Sequence, residues 1–178
     1  MTSSDQTEFD PLRGEAIRGV VGTYLEGGHD GRGLRIAIVA GRFNGGITTR
    51  LIDGALATLD EAGVSRSDVT VAWVPGAYEI PMMALAFADG PFPVDAVITL
   101  GAVIRGDTGH YDIVAGESAR GVQDVQLTTG VPVIFGVLTT NTVEQALERS
   151  LPDETNKGRE AALTALEMVS LLRQRSGR

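Results

Sequence analysis

Residues 34–63 read LRIAIVAGRFNGGITTRLIDGALATLDEAG. Within them, Arg35-Ile36-Ala37-Ile38-Val39-Ala40 is short and almost wholly apolar, the pattern of a strand covered on both faces. Ile47, Leu51, Ile52, Ala55 and Leu59 then recur at helical spacing, and Gly63 closes the helix. A buried strand passing straight into an amphipathic helix is the start of a βαβ unit. Outward from it the rhythm repeats. Val69 to Val74 reads as a strand, and Ile80 to Ala88 as a helix with Pro81 in its first turn. Val94 to Leu100 reads as a third strand, Ala115 to Leu127 as a helix, and Val131 to Leu138 as a fourth strand. A short helix over Thr142 to Arg149 follows. The last, Lys157 to Arg173, carries an apolar stripe through Ala162, Leu166, Val169 and Leu172. Such alternation predicts an α/β fold with a mostly parallel four-stranded sheet covered by helices on both faces.

Upstream of residue 34 the pattern changes. Residues 1–33 read as an arm with one short strand, Val20 to Leu25, and a turn-rich connection through Gly27, Gly28 and Gly31. A lone strand needs a sheet edge to pair with, either its own or a neighbour's. Residues 34–178 then form a single domain, and 178 residues suffice for one self-supporting core.

Composition narrows the function. A hydrophobic content of 43% is that of a globular chain, and no apolar run reaches the length of a membrane span. The polar, acidic start has neither a basic nor an apolar signal region, so a cytoplasmic protein is expected. A net charge of −8 argues against nucleic acid as a partner, though it is also an ordinary solubility feature. With no cysteine there are no disulfides, thiolate nucleophiles or thiolate metal sites. With only His29 and His110 as imidazoles, no metal centre is expected. Among 15 basic side chains the only lysine is Lys157, which is either a Schiff-base amine or the remnant of an arginine-biased composition.

Ligands of doubly wound sheets bind at the carboxyl ends of the strands, which directs attention to Gly41–Gly46, Pro75–Glu79, Gly101–Tyr111 and Thr139–Thr142. In the third loop glycines admit a close ligand, a helix start offers N–H groups to an anion, Thr108 adds a hydroxyl, and His110 adds an imidazole suited to proton transfer. The plainer alternative is a capping histidine. Phe43 is placed to stack on a planar heterocycle with Asn44 beside it, or else plugs the core. Glu79 either meets a ligand or merely complements a helix dipole. Arg149 is either a phosphate clamp or a solvated charge. The phosphate-loop, dinucleotide, zinc-protease and nucleophile-elbow signatures are missing. What remains is an enzyme handling a phosphorylated small molecule without cysteine or metal.

Several segments occur together in order: Arg42-Phe43-Asn44, Gly76 to Pro81, Gly101 to Asp112, Gly136 to Thr140, Glu144-Gln145-Ala146 and Asn156-Lys157-Gly158. In these the chain resembles the 6,7-dimethyl-8-ribityllumazine synthase family from about Val20 to its C-terminus. The resemblance implies a flavodoxin-like three-layer αβα sandwich whose N-terminal strand pairs with a neighbouring subunit. It implies a transferase that joins 5-amino-6-(D-ribitylamino)uracil to L-3,4-dihydroxy-2-butanone 4-phosphate, late in riboflavin biosynthesis and without a cofactor. It further implies that Phe43 stacks on the pyrimidine, and that Ala77, Tyr78 and Glu79 hold the ribityl chain. Ala102, Val103 and Ile104 would line the pyrimidine edge, and Asp107, Thr108 and Arg149 would bind phosphate. His110 would shuttle protons, Phe135 would come from an adjacent subunit, and Lys157 would lie near the site. A homopentamer is implied, with sites between adjacent subunits, a sixty-subunit shell as the larger form, and riboflavin synthase as a candidate partner. The alternative is a flavin- or lumazine-binding or shell-forming homologue with little catalysis. Two positions depart from the family pattern: Gly109, where proline is common, and Ser150 to Thr155, where shell formers have a glycine- and lysine-containing turn.

Overall fold

The computed structural model describes residues 9–177. Four strands, β1 (Ile36–Gly41), β2 (Val69–Val74), β3 (Ala96–Ile104) and β4 (Val133–Thr140), pair in the order β2-β1-β3-β4, and every pair is parallel. The helices are α1 (Pro11–Arg18), α2 (Gly45–Glu61), α3 (Ile80–Ala88), α4 (His110–Thr129), α5 (Val143–Glu148) and α6 (Lys157–Ser176).

Side chains alternate across a strand, so a parallel sheet must be covered twice. In β1, Ile36, Ile38 and Ala40 join Leu51, Ala55 and Leu59 of α2 and Ala162, Leu166 and Val169 of α6 in one core. Ala37 and Val39 join Ile80 and Ala84 of α3 and Val122 and Val125 of α4 in the other. The three-layer α/β sandwich expected from the sequence is what these residues form. Gly63, at φ +85°, ends α2 as expected, because a left-handed residue there costs only glycine nothing. No described helix is long and apolar enough to cross a membrane.

Several boundaries shift by two or three residues, as when β4 runs Val133–Thr140 rather than Val131–Leu138, and three differences from the sequence reading are larger. β3 does not stop at Leu100; it stays in register with β4 through Gly101, Ala102, Val103 and Ile104, opposite Val137 to Thr140. Gly101 is a local loop signal, but the ladder to β4 outweighs its preference. α4 begins at His110 rather than Ala115, so His110 lies in its first turn. Finally, residues 20–25 form no strand in this chain. An unpaired strand leaves its backbone groups without partners, whereas a helix satisfies its own. Among the described residues of the arm the regular element is α1, whose Asp10 cap accepts from the Leu12 N–H at 2.9 Å with Pro11 at the first helical position. Beyond it the chain is tied to α6: the Gly28 N–H donates to Ser170 Oγ at 3.0 Å, and Gln174 Nε2 donates to the Glu26 carbonyl at 2.8 Å.

The start of α6 is held by a buried polar side chain. Asn156, 2% exposed, accepts from the N–H groups of Gly158 and Arg159 at 2.8 and 3.2 Å. Its amide nitrogen donates to the carbonyls of Arg50 at 3.2 Å and Leu151 at 2.8 Å. One residue thus caps α6, joins it to α2 and fixes the turn between α5 and α6. Gly158 permits the approach, since a Cβ there would lie 1.9 Å from the Leu51 carbonyl oxygen. Asn156→Ala should therefore lower the unfolding free energy by about 2–4 kcal/mol, the cap and the orphaned buried carbonyls together. Urea denaturation at fixed protein concentration reads this directly; an unchanged midpoint would contradict it.

Candidate active site

The C-terminal rim of the sheet opens because its strands are staggered. β1 pairs with β3 only as far as Ala40 opposite Leu100, whereas β4 accompanies β3 to Ile104. From Ala102 onward the backbone edge of β3 that faces β1 has no ladder partner there. β1 itself turns away toward β2: the Arg42 N–H donates to the Val74 carbonyl at 2.9 Å and the Phe43 N–H to the Pro75 carbonyl at 3.1 Å. These two bonds lace the Phe43 turn to the Tyr78 turn.

Asn44 makes the corner. It is the one described non-glycine residue with positive φ, at 57°, and its Nδ2 donates to the Ala102 carbonyl at 2.9 Å. The left-handed conformation is one that asparagine tolerates better than most residues. Asn44 is not part of the cavity wall; its amide holds the wall together.

A cavity of about 680 Å³ occupies this gap. It is lined by Phe43, Ala77, Tyr78, Glu79, Ala102, Val103, Ile104, Thr108 and His110, nine of the residues singled out from the sequence. Phe43 and Tyr78 are 73% and 56% exposed, and such surface on large aromatic residues marks a place to be covered. Glu79 ends a short 3-10 turn, Ala77–Glu79, at the N-terminus of α3. Gly109 caps α4 without a side-chain bond, and the His110 N–H reaches Thr108 Oγ1 at 3.5 Å. A 20-residue helix thus points its N-terminus at the cavity mouth, the polarity that suits an anion.

Tyr111, Ile113 and Val114 also line the cavity and were not singled out. With α4 starting at His110, positions 110, 113 and 114 share one face; the later start drawn from sequence hid that spacing. Asp107 is exposed and stands in the connecting turn, outside the wall.

Phe135, Arg149 and Lys157 lie elsewhere. They line a second cavity of about 730 Å³ along β4, between α4 and α6, together with Gln126, Glu160 and Met168. Phe135 is 38% exposed on this edge strand. Arg149 Nη1 donates to the Gln145 carbonyl at 2.9 Å, and the Lys157 ammonium pairs with Glu160. An ammonium held by a carboxylate suits electrostatic binding better than the neutral-amine chemistry of a Schiff base. Within one chain, then, Arg149 is not grouped with Thr108 and His110. The sequence named the residues of both cavities but could not sort them. The family model for 6,7-dimethyl-8-ribityllumazine synthase matches residues 33–173, which takes in both cavities and the whole sheet.

The Asn44 corner carries its own test. Asn44→Gly should cost about 1 kcal/mol, the lost bond to Ala102. Asn44→Ala should cost about 1 kcal/mol more, from the left-handed backbone. Equal losses for the two variants in equilibrium denaturation would contradict this account.

Proposed function

The chain belongs to the 6,7-dimethyl-8-ribityllumazine synthase family, and on that premise we propose that it condenses 5-amino-6-(D-ribitylamino)uracil with L-3,4-dihydroxy-2-butanone 4-phosphate, releasing phosphate and water. The observation that carries the reading is the composition of the first cavity. An exposed phenyl ring, an unladdered strand edge, a carboxylate, a hydroxyl beside a helix N-terminus and an imidazole converge on one space sized for a small heterocycle.

In this reading Phe43 stacks on the pyrimidine, and the backbone of Ala102, Val103 and Ile104 meets its polar edge. Ala77, Tyr78 and Glu79 hold the ribityl chain. The phosphate rests at the start of α4, on Thr108 and the Asp107 backbone. Arg149 completes that site from a neighbouring subunit, accompanied by Phe135 and Lys157, which share its groove. Each subunit then offers one half-site to the neighbour on either side. Such a head-to-tail interface closes into a ring, and a pentamer is the form we propose. Val20 to Leu25 acquire the strand partner they lack in the single chain when they meet a neighbour's sheet edge.

The amine of one substrate condenses with the ketone of the other, so the covalent bonds form between the substrates. The enzyme's tasks are to hold both reactants together and to move protons as phosphate leaves and the ring closes. Positioning is the larger part of such catalysis, worth up to roughly 7–11 kcal/mol of barrier. Proton transfer by His110 adds a factor of roughly 10²–10⁴.

Purified protein mixed with the two substrates should form the lumazine, followed by absorbance and fluorescence, faster than the uncatalysed reaction. His110→Ala should lower turnover by roughly 10²–10⁴ while leaving measurable activity. Arg149→Ala should raise KM for the butanone phosphate far more than for the pyrimidine. A protein that binds the pyrimidine yet gives no acceleration would overturn the assignment, and complete loss in an intact His110→Ala assembly would overturn the division of labour.

A further inference from the structure

Arg105 stands between two residues of the cavity wall, Ile104 and Gly106, yet its own side chain is outside that wall. It reaches across three elements instead. Its backbone N–H donates to the Thr140 carbonyl at 2.9 Å, and Nε donates to Asn141 Oδ1 at 3.1 Å, both just past or at the end of β4. Nη2 and Nη1 donate to the Asp112 carboxylate at 3.1 and 3.4 Å. The guanidinium lies over the Tyr111 ring with Cζ 4.0 Å from its centre. Asp112 and Tyr111 belong to the first turn of α4, directly after His110.

Tyr111 packs against the core beneath α3 and α4, and the Asp112 N–H donates to the Gly109 carbonyl at 3.2 Å, but few side-chain hydrogen bonds hold the turn otherwise. Gly109 supplies no capping side chain, and the His110 N–H bond to Thr108 is long at 3.5 Å. A Cβ built at Gly106 or Gly109 would touch nothing within 4 Å, so the connecting loop is not wedged by packing. The side chains of Arg105 and Asp112 are 44% and 65% exposed, which makes the ion pair a weak contributor to stability. Its geometry is what matters. A planar fork that lies flat on a ring, grips a carboxylate and bonds an amide fixes orientation in a way a single point charge does not.

We infer that Arg105 is a positioning residue: by clasping Tyr111 and Asp112 to the ends of β3 and β4, it sets the placement of His110 over the cavity. The inference rests on His110 being the proton-transfer group. Tyr111 itself lines the cavity, so a shift of this turn moves the wall and the imidazole together.

The test is a double-mutant cycle on kcat with wild type, Arg105→Lys, Arg105→Met, His110→Ala and the two combinations. Lysine keeps the charge at an exposed position, so Arg105→Lys folds even where Arg105→Met does not. It cannot engage the ring face, Asp112 and Asn141 at once. Either Arg105 substitution should lower kcat by about ten-fold, a fraction of the imidazole's own contribution. KM for the pyrimidine should move by less than about two-fold, since the groups proposed to hold it, Phe43 and the backbone of Ala102 to Ile104, stand on β3 and the turn after β1 rather than on α4. In the His110→Ala background the same substitutions should change kcat by less than about two-fold, because there is no imidazole left to place. Wild-type kcat in Arg105→Lys, or an undiminished ten-fold loss in the His110→Ala background, would overturn the role of Arg105 alone. A His110→Ala protein with wild-type turnover would overturn the role of His110 and this inference with it.

Discussion

The stagger of the sheet is the constraint on which the site depends. β3 needs a partner on each side to satisfy its backbone, and it has two as far as Leu100. Beyond that point β4 continues alone, because β1 turns at Gly41 to bond the carbonyls of Val74 and Pro75. The result is a short, rigid strand edge held by β4 on one flank and open on the other. Asn44 takes the Ala102 carbonyl and closes the base of the gap. A ligand with a polar edge finds groups already fixed in direction, so little ordering remains to be done when it binds.

The same architecture distributes the residues of the proposed site over two cavities of one chain. The helix N-terminus, the hydroxyl and the imidazole open into the first cavity, while Arg149 and Lys157 open into the groove beside β4. β4 is an edge strand with an exposed phenyl ring, and such edges are covered in functional proteins. Asn156 connects the two concerns. It is buried for the sake of α2 and α6, and the Lys157 N–H that follows it donates to the Arg149 carbonyl at 2.9 Å, so the packing of the core also sets where the cations stand.

Much of this was legible in the sequence, for definite reasons. Strand β1 and helix α2 are unambiguous because an unbroken apolar run and a clean 3.6-residue spacing adjoin one another. Strand β2 and helix α3 match residue for residue. What was misread involved tertiary pairing: Gly101 is a local loop signal overruled by β4, and the first turn of α4 has no polar cap to announce it. The start of α1 was announced, by Asp10 and Pro11, but Gly14 within a short polar segment masked it. Phe43, Glu79 and His110 stand out because glycines and strand ends mark a ligand rim, whereas Tyr78 is singled out only through the family resemblance. The separation of Arg149 from Thr108 was not legible, since no spacing along the chain tells which face of a helix end a long side chain will take.

Co-expression of two crippled variants tests most directly whether the catalytic space is shared between two chains, as proposed. In a mixed ring of His110→Ala and Arg149→Ala subunits, about a quarter of the interfaces bring an intact His110 half against an intact Arg149 half. With the butanone phosphate held well below its KM, where both parents are slow, lumazine formation in the mixed assembly should therefore recover to about a quarter of the wild-type rate, well above either variant alone. A mixed assembly no faster than the mean of its two parents would contradict the divided site and put His110 and Arg149 to work within a single chain.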